Sequence, residues 1–136
     1  MKLTRAATYA LQAVAYMANQ KKSKEDHPIA SHRIADERKI PERFLLKVLK
    51  PLVSARVLLS VKGPNGGYRL ARPAKQISLL EVVEAVDGTI RGDAPPGGKG
   101  AGAALDRKLG NVCDQAATLV REKLGKVSLA ELARAR

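Results

Sequence analysis

Pro28 to Leu52 gives two helical runs separated by a three- or four-residue break, Val57 to Ala71 gives two short β-type runs around a Gly/Pro/Asn turn, and Leu105 to Leu124 gives one long run with an apolar seam. Together these predict a mainly α fold with a small β-hairpin, namely a winged helix-turn-helix with a long C-terminal dimerisation helix. The expected division is residues 1–90 as the winged unit, 91–104 as a flexible Gly/Pro-rich loop, and 105–136 as the dimerisation helix followed by a short helix. At 136 residues the chain can bury one modest core but not two.

The first element is a helix. Leu3, Ala7, Ala10, Leu11, Val14, Met17 and Ala18 trace an apolar stripe at helical spacing, so this segment should pack on the core. Tyr9 and Tyr16, seven apart, read as core or interface residues. In the next run Ser31 is the expected N-cap, with Ile34 and Ala35 facing inward. The break falls at Arg38, Lys39 and Ile40, and Pro41 suits the first position of the following helix. There Leu45, Val48, Leu49 and Leu52 recur at i, i+3, i+4 and i+7 as one buried stripe, while Arg43, Lys47 and Lys50 recur on another face without an acid among them. A solvated charged face is the competing reading. Pro51 should kink or end the helix near Lys50, because an interior proline costs roughly 3 kcal/mol.

The hairpin follows at once. Val57, Leu59 and Val61 alternate with Leu58, Ser60 and Lys62 as a half-buried strand should, and Tyr68 to Ala71 supplies the return strand. Gly63, Gly66 and Gly67 permit positive φ or close backbone approach, Pro64 presets a turn dihedral, and Lys62 and Arg69 put positive charge at the feet of the loop. Such a loop can lie against a phosphate backbone, although an ordinary surface hairpin with solvated charges would look the same in isolation. A basic helix face followed by a basic wing instead favours a surface for duplex DNA.

Ser78 and Glu81 form a capping-box signature that opens a helix through Val82, Val83, Ala85 and Val86, closed by Asp87 and Gly88. Residues 91–104 hold little to bury, so a mobile loop is expected. Beyond it Leu105, Leu109, Val112, Ala116 and Leu119 alternate at intervals of four and three, a coiled-coil-like seam. Two heptads are too short to stand alone. The seam is therefore read as the interface of a homodimer, with packing back on its own domain as the competing reading. Ser128 and Glu131 open a last capped helix after Gly125.

Charge points the same way. The formal net charge is +12, of which residues 1–75 carry +11 and residues 76–136 only +1. Charge alone also fits RNA or an anionic membrane. Single-stranded RNA readers need several stacking rings, and here there are Tyr9, Tyr16, Phe44, Tyr68 and no Trp. No apolar run approaches the roughly 18 residues of a spanning helix, and no signal-peptide layout opens the chain, so no membrane partner and a cytoplasmic location are expected. An enzyme is not expected, since there is no Ser/His/Asp grouping, no metal-spaced His/Cys set, and no Lys-Ser/Thr after Gly63-Pro64-Asn65-Gly66-Gly67 to make a phosphate loop.

The segments MKLTRAATYALQAVAYMA, RIADERKIPERFLLKVLKPLVSARVLLSVKGPNGGYRLARP and ISLLEVVEAVDG resemble the bacterial winged-helix regulator family that includes IscR, NsrR and CymR, the Rrf-two family. The resemblance covers residues 1 to about 88 and, more weakly, the tail VSLAELA. It implies sequence-specific DNA binding that controls transcription, and in some members an iron–sulfur cluster that sets DNA affinity.

This chain departs from the cluster-binding members. Those place three cysteines before the dimerisation helix, since thiolates are the usual ligands. Here the only cysteine, Cys113, falls inside the long helix beside Val112, where it reads as a small buried hydrophobe and as a candidate redox thiol. Thr8 stands where some cluster-binding members are acidic, and Leu46 stands at a recognition-helix position that is polar in several relatives. His27 and His32 read as solvent-facing or phosphate-contacting, not as metal ligands. The expectation is thus a homodimeric repressor without cofactor or metal, acting on a palindromic double-stranded operator, with its signal entering through a partner protein, a small molecule or thiol oxidation. The expected DNA contacts are Arg33, Arg43, Lys47, Lys50, Lys62, Asn65, Gly66, Gly67 and Arg69. A winged-helix module for protein contact or non-specific nucleoid binding is the alternative.

Overall fold

Thr4 starts α1 (Arg5–Ala18): its hydroxyl accepts from the Ala7 N–H at 3.0 Å and donates to Asp87 Oδ1 at 2.7 Å. This computed structural model describes residues 1–20, 27–94 and 98–135. Along α1, Ala7, Ala10, Ala13, Val14, Tyr16 and Met17 are buried, with Leu11 and Ala18 partly so. Leu3 precedes the helix and is exposed, so the stripe begins at Ala7.

The helix pair is α2 (Ser31–Arg38) and α3 (Glu42–Ser54). Ala30, not Ser31, is the N-cap of α2, and no side chain caps it. Ser31 is already helical, and its hydroxyl instead donates to Glu42 Oε1 at 3.4 Å. Arg38 still belongs to α2, and Lys39 makes the turn alone in the left-handed region, φ 53°. Pro41 is the N-cap of α3 rather than its first residue. Ile34, Ala35 and Ile40 are buried on either side of that turn.

Pro51 neither ends nor visibly interrupts α3, which runs on to Ser54. The bond a proline forfeits would have gone to the Lys47 carbonyl, and Lys47 is exposed, so water can take that place. Leu49 and Leu52 are fully buried on either side of it. Each contributes about 1.5–3 kcal/mol for leaving water, which offsets the proline.

Strands β1 (Leu58–Val61) and β2 (Gly67–Leu70) form one antiparallel pair in which Leu58 faces Leu70, Leu59 faces Arg69, Ser60 faces Tyr68 and Val61 faces Gly67. The in-and-out alternation of β1 does not hold in the expected phase. Val57 and Leu58 are both buried, whereas Leu59 and Val61 are exposed. The hairpin turns one face to the core, that of Leu58, Leu70 and Tyr68, so the alternation runs in the opposite phase to the one expected, and Val57, just before β1, is buried as well.

After a 3₁₀ turn at Ala74–Gln76, α4 (Leu79–Asp87) opens on Ser78 with a full capping box and ends at Gly88, φ 86°. α5 spans Ala103–Gly125, so the last two residues of the expected loop are helical; Pro95, Pro96 and Gly97 of that loop lie outside the described residues. α6 (Leu129–Ala133) has its own capping box at Ser128. The two boxes sit side by side: Leu79 N–H donates to the Val127 carbonyl at 2.8 Å and Leu129 N–H to the Ile77 carbonyl at 2.7 Å. Leu129 thereby enters the same core as Val14, Ile34, Leu45, Leu49, Leu58 and Val82.

Candidate nucleic-acid interface

Two aromatic contacts fix the helix pair against α1. The Tyr9 and Phe44 rings meet edge to face, 5.2 Å between centroids at 82°, which holds α3. The Arg38 guanidinium lies over the Tyr16 ring, 5.3 Å from its centroid, which holds α2. Such contacts contribute about 0.5–1.5 kcal/mol each. With Leu45, Val48, Leu49 and Leu52 committed to the core, α3 has no freedom to roll, and Arg43, Leu46, Lys47 and Lys50 stand exposed on its outer side.

The wing is shaped by glycines with distinct duties. A Cβ on Gly66 would run into the Val61 carbonyl, and Gly66 N–H closes the turn on the Gly63 carbonyl at 2.9 Å. A Cβ on Gly67 would run into the Ile29 carbonyl, and φ there is +155°. Both glycines thus serve the backbone. Lys62 and Asn65 are exposed in the turn. Arg69 is not at the foot of the loop as expected; it is half-buried within β2 opposite Leu59. Arg33, exposed on α2, lines one groove with Arg69, His27, Arg72 and Lys75. The sequence-derived cations therefore fall into three sets: Arg43, Lys47 and Lys50 on α3, Lys62 in the wing, and Arg33 with Arg69 at the groove.

On α5 the expected seam is open to solvent. Leu105, Leu109, Val112 and Leu119 are 70, 46, 52 and 66% exposed, and Ala116 is exposed with them. Cys113 departs from expectation. It is half-buried at the edge of the seam, lining a shallow cleft with Ile90, Gly92, Ala117, Val120 and the seam residue Ala116. One residue along a helix turns about 100°, so Cys113 is well round from Val112 but, four residues after Leu109, only about 40° from that seam residue.

Acids act as clamps between elements, and sequence reasoning missed them because their partners are remote. Arg72 donates to Glu81 Oε1 at 2.6 Å. Burial pushes the Glu81 carboxyl up, but hydrogen bonds from Arg72 and the Ser78 N–H outweigh it and hold the carboxyl below its ordinary value. Arg121 of α5 donates to Glu84 of α4 at 3.0 Å. Burial again raises Glu84, and Arg121 with the Ile90 N–H lowers it further than that. Glu81 was legible only as the capping-box partner of Ser78, and Thr4 had a local signal of its own, an N-cap threonine three residues before Ala7.

A helix pair with one buried and one basic outer face, followed by a β-hairpin with a cationic turn, defines a winged helix-turn-helix protein of the DNA-binding class. Residues 3–135 match the family model Rrf2, described as "Iron-dependent Transcriptional regulator". The chain belongs to the Rrf2 family of transcriptional regulators and is not an enzyme. It is 37% identical over 87 residues to the protein aau3 of Rhizobium meliloti, covering 64% of this chain and 54% of that protein. It is 36% identical over 89 residues to the HTH-type transcriptional regulator BadM of Rhodopseudomonas palustris, covering 65% and 54%. The chain spans about half the length of these curated relatives. In fold it is similar to CymR of B. subtilis, with TM-score 0.71, 22% identity, and 98% and 96% of the two chains covered.

The residues do not fit a thiolate-held iron–sulfur cluster. The sequence has one cysteine, and among the described residues no three His, Cys, Asp or Glu side chains are grouped to hold a metal ion. Thr8 spends its hydroxyl on the Thr4 carbonyl at 3.0 Å. Among the described residues no helix is long and apolar enough to cross a membrane.

Proposed function

We propose that this chain is a dimeric, sequence-specific DNA-binding repressor that works in the cytoplasm without an iron–sulfur cluster. The observation that carries the reading is the outer face of α3, where Arg43, Lys47 and Lys50 are exposed while the opposite stripe is locked in the core. In this reading α3 enters the major groove, Lys62 and Asn65 of the wing meet the flanking backbone with Gly66 and Gly67 allowing close approach, and Arg33 and Arg69 neutralise further phosphates. Residues 1–90 form the DNA-binding unit, and α5 supplies the dimer contact, with Leu105, Leu109, Val112, Ala116 and Leu119 meeting their counterparts in a second copy. The exposure of these five residues in the single chain supports that pairing, since packing on its own domain would have covered them. Occupying a palindrome across a promoter blocks transcription; a partner protein, a small molecule or oxidation at Cys113 then releases it.

The test is footprinting on DNA upstream of the chain's own coding region, with the ratio of specific to random-duplex affinity measured at fixed salt. A protected palindrome and a ratio of about 10³ or more are expected. A ratio near one would make the protein a non-specific nucleoid binder. Iron and sulfide assays on protein prepared without oxygen should find neither in stoichiometric amount.

A further inference from the structure

We infer that Leu46 reads a thymine, packing its side chain on the C5-methyl of one thymine in each half-site. The inference rests on the DNA-binding reading of α3 and assigns that surface a base. The outer stripe of α3 is Arg43, Leu46, Lys47 and Lys50 at i, i+3, i+4 and i+7, and Leu46 is its one apolar member. It is 43% exposed, and it belongs neither to the core cluster nor to the apolar residues packed around that cluster. The other large apolar side chains of α3 are occupied: Leu45, Val48, Leu49 and Leu52 in the core, Val53 packed against it, and Phe44 against Tyr9. Leu46 is thus free to meet whatever α3 meets.

Its surroundings say what that is. Three cations flank it, and the nearby acid Glu42 is drawn toward α2 by the Ser31 hydroxyl, so the face complements a polyanion. Leu46 lies in the second turn of α3, within the N-terminal part from which the second helix of such a pair reaches base edges. In the major groove thymine alone of the four bases presents an apolar group. Against any other base edge a leucine would cover donors or acceptors without pairing them. Leu46 is therefore a specificity-determining residue, and Arg43 and Lys47 beside it supply the polar contacts.

Replacing thymine by deoxyuridine removes only the methyl. On an operator selected from random duplexes, each thymine of the half-site is replaced in turn, and affinity is measured for the native chain and for Leu46→Ala. At one position the native chain should lose about fourfold per substituted half-site, the equivalent of one buried methyl group. Leu46→Ala should be indifferent to deoxyuridine there while keeping its affinity for random DNA. Leu46→Gln should move the preference at that position toward adenine, whose N6 and N7 a glutamine pairs in bidentate fashion. If no thymine is sensitive, if Leu46→Ala keeps the same sensitivity, or if Leu46→Ala weakens random DNA equally, the assignment is overturned with the DNA-binding reading intact. If no operator is selected at all, the DNA-binding reading falls and takes this one with it.

Discussion

Ile29 and Tyr68 exchange both backbone hydrogen bonds, at 2.8 and 2.9 Å, so the segment entering α2 is stitched to the return strand of the wing. The helix pair and the wing are therefore one mechanical unit, and Gly67 sits at the stitch. Gly67→Ala should push the Ile29 backbone away and strain a φ that side chains rarely adopt. The expected loss is about 1–3 kcal/mol of stability, seen as a lowered thermal midpoint, together with weakened DNA binding. An unchanged midpoint would show that the stitch is not needed to hold the wing.

Lys62 is exposed in the wing turn, and a phosphate contact from it releases counterions on binding. Lys62→Ala should weaken specific and random duplexes by similar factors and reduce the salt slope by about one per contact in each subunit. Arg43→Ala should behave differently, costing roughly 1–3 kcal/mol on the operator with less effect on random DNA. Equal losses on both duplexes for Arg43→Ala would reduce α3 to a backbone-positioning element.

What the sequence made legible was periodicity and capping. The buried stripe of α3, the boxes at Ser78 and Ser128, and the span of α5 all depend on residues within a turn or two of one another, where spacing maps directly onto a face. Properties set at long range were hidden. The stripe reaching Leu52 beyond Pro51 was legible, but that its burial would outweigh the local cost of the proline was not, and nothing in β1 announces which of its two faces meets the core. The same holds for the candidate interface. The three cations of α3 could be read from their spacing, but the half-buried state of Arg69 and the partners of Glu81 and Glu84 come only from how elements meet.

The Glu84–Arg121 pair ties α4 to α5, and its pH dependence follows from the lowered carboxyl pKa of Glu84. A carboxyl whose folded pKa lies below its unfolded one adds stability above the unfolded value and loses it as pH falls through the folded value. Glu84→Gln should therefore be less stable than the native chain near neutrality, and the difference should vanish in acid below the carboxylate range. Thermal midpoints of both proteins across that range are the measurement. A constant gap at all pH values would mean that the pair holds α5 by packing and not by charge.

The α5 seam offers the clearest separation of roles. Leu109 and Leu119 are exposed in the single chain, so replacing both by glutamate leaves the core of the monomer untouched. In a dimer the same change buries like charges against an apolar partner face, which costs several kcal/mol without a counter-ion. Sedimentation should show monomers with native helical content. Operator affinity should drop far more than affinity for random DNA, because the two half-site contacts no longer act as one bivalent ligand. Half-sites about 10 bp apart, or at a multiple of that spacing, are what two-fold symmetry requires of the operator. If the doubly substituted protein remains a dimer and keeps its operator, the dimer contact lies elsewhere and the exposed seam has another partner.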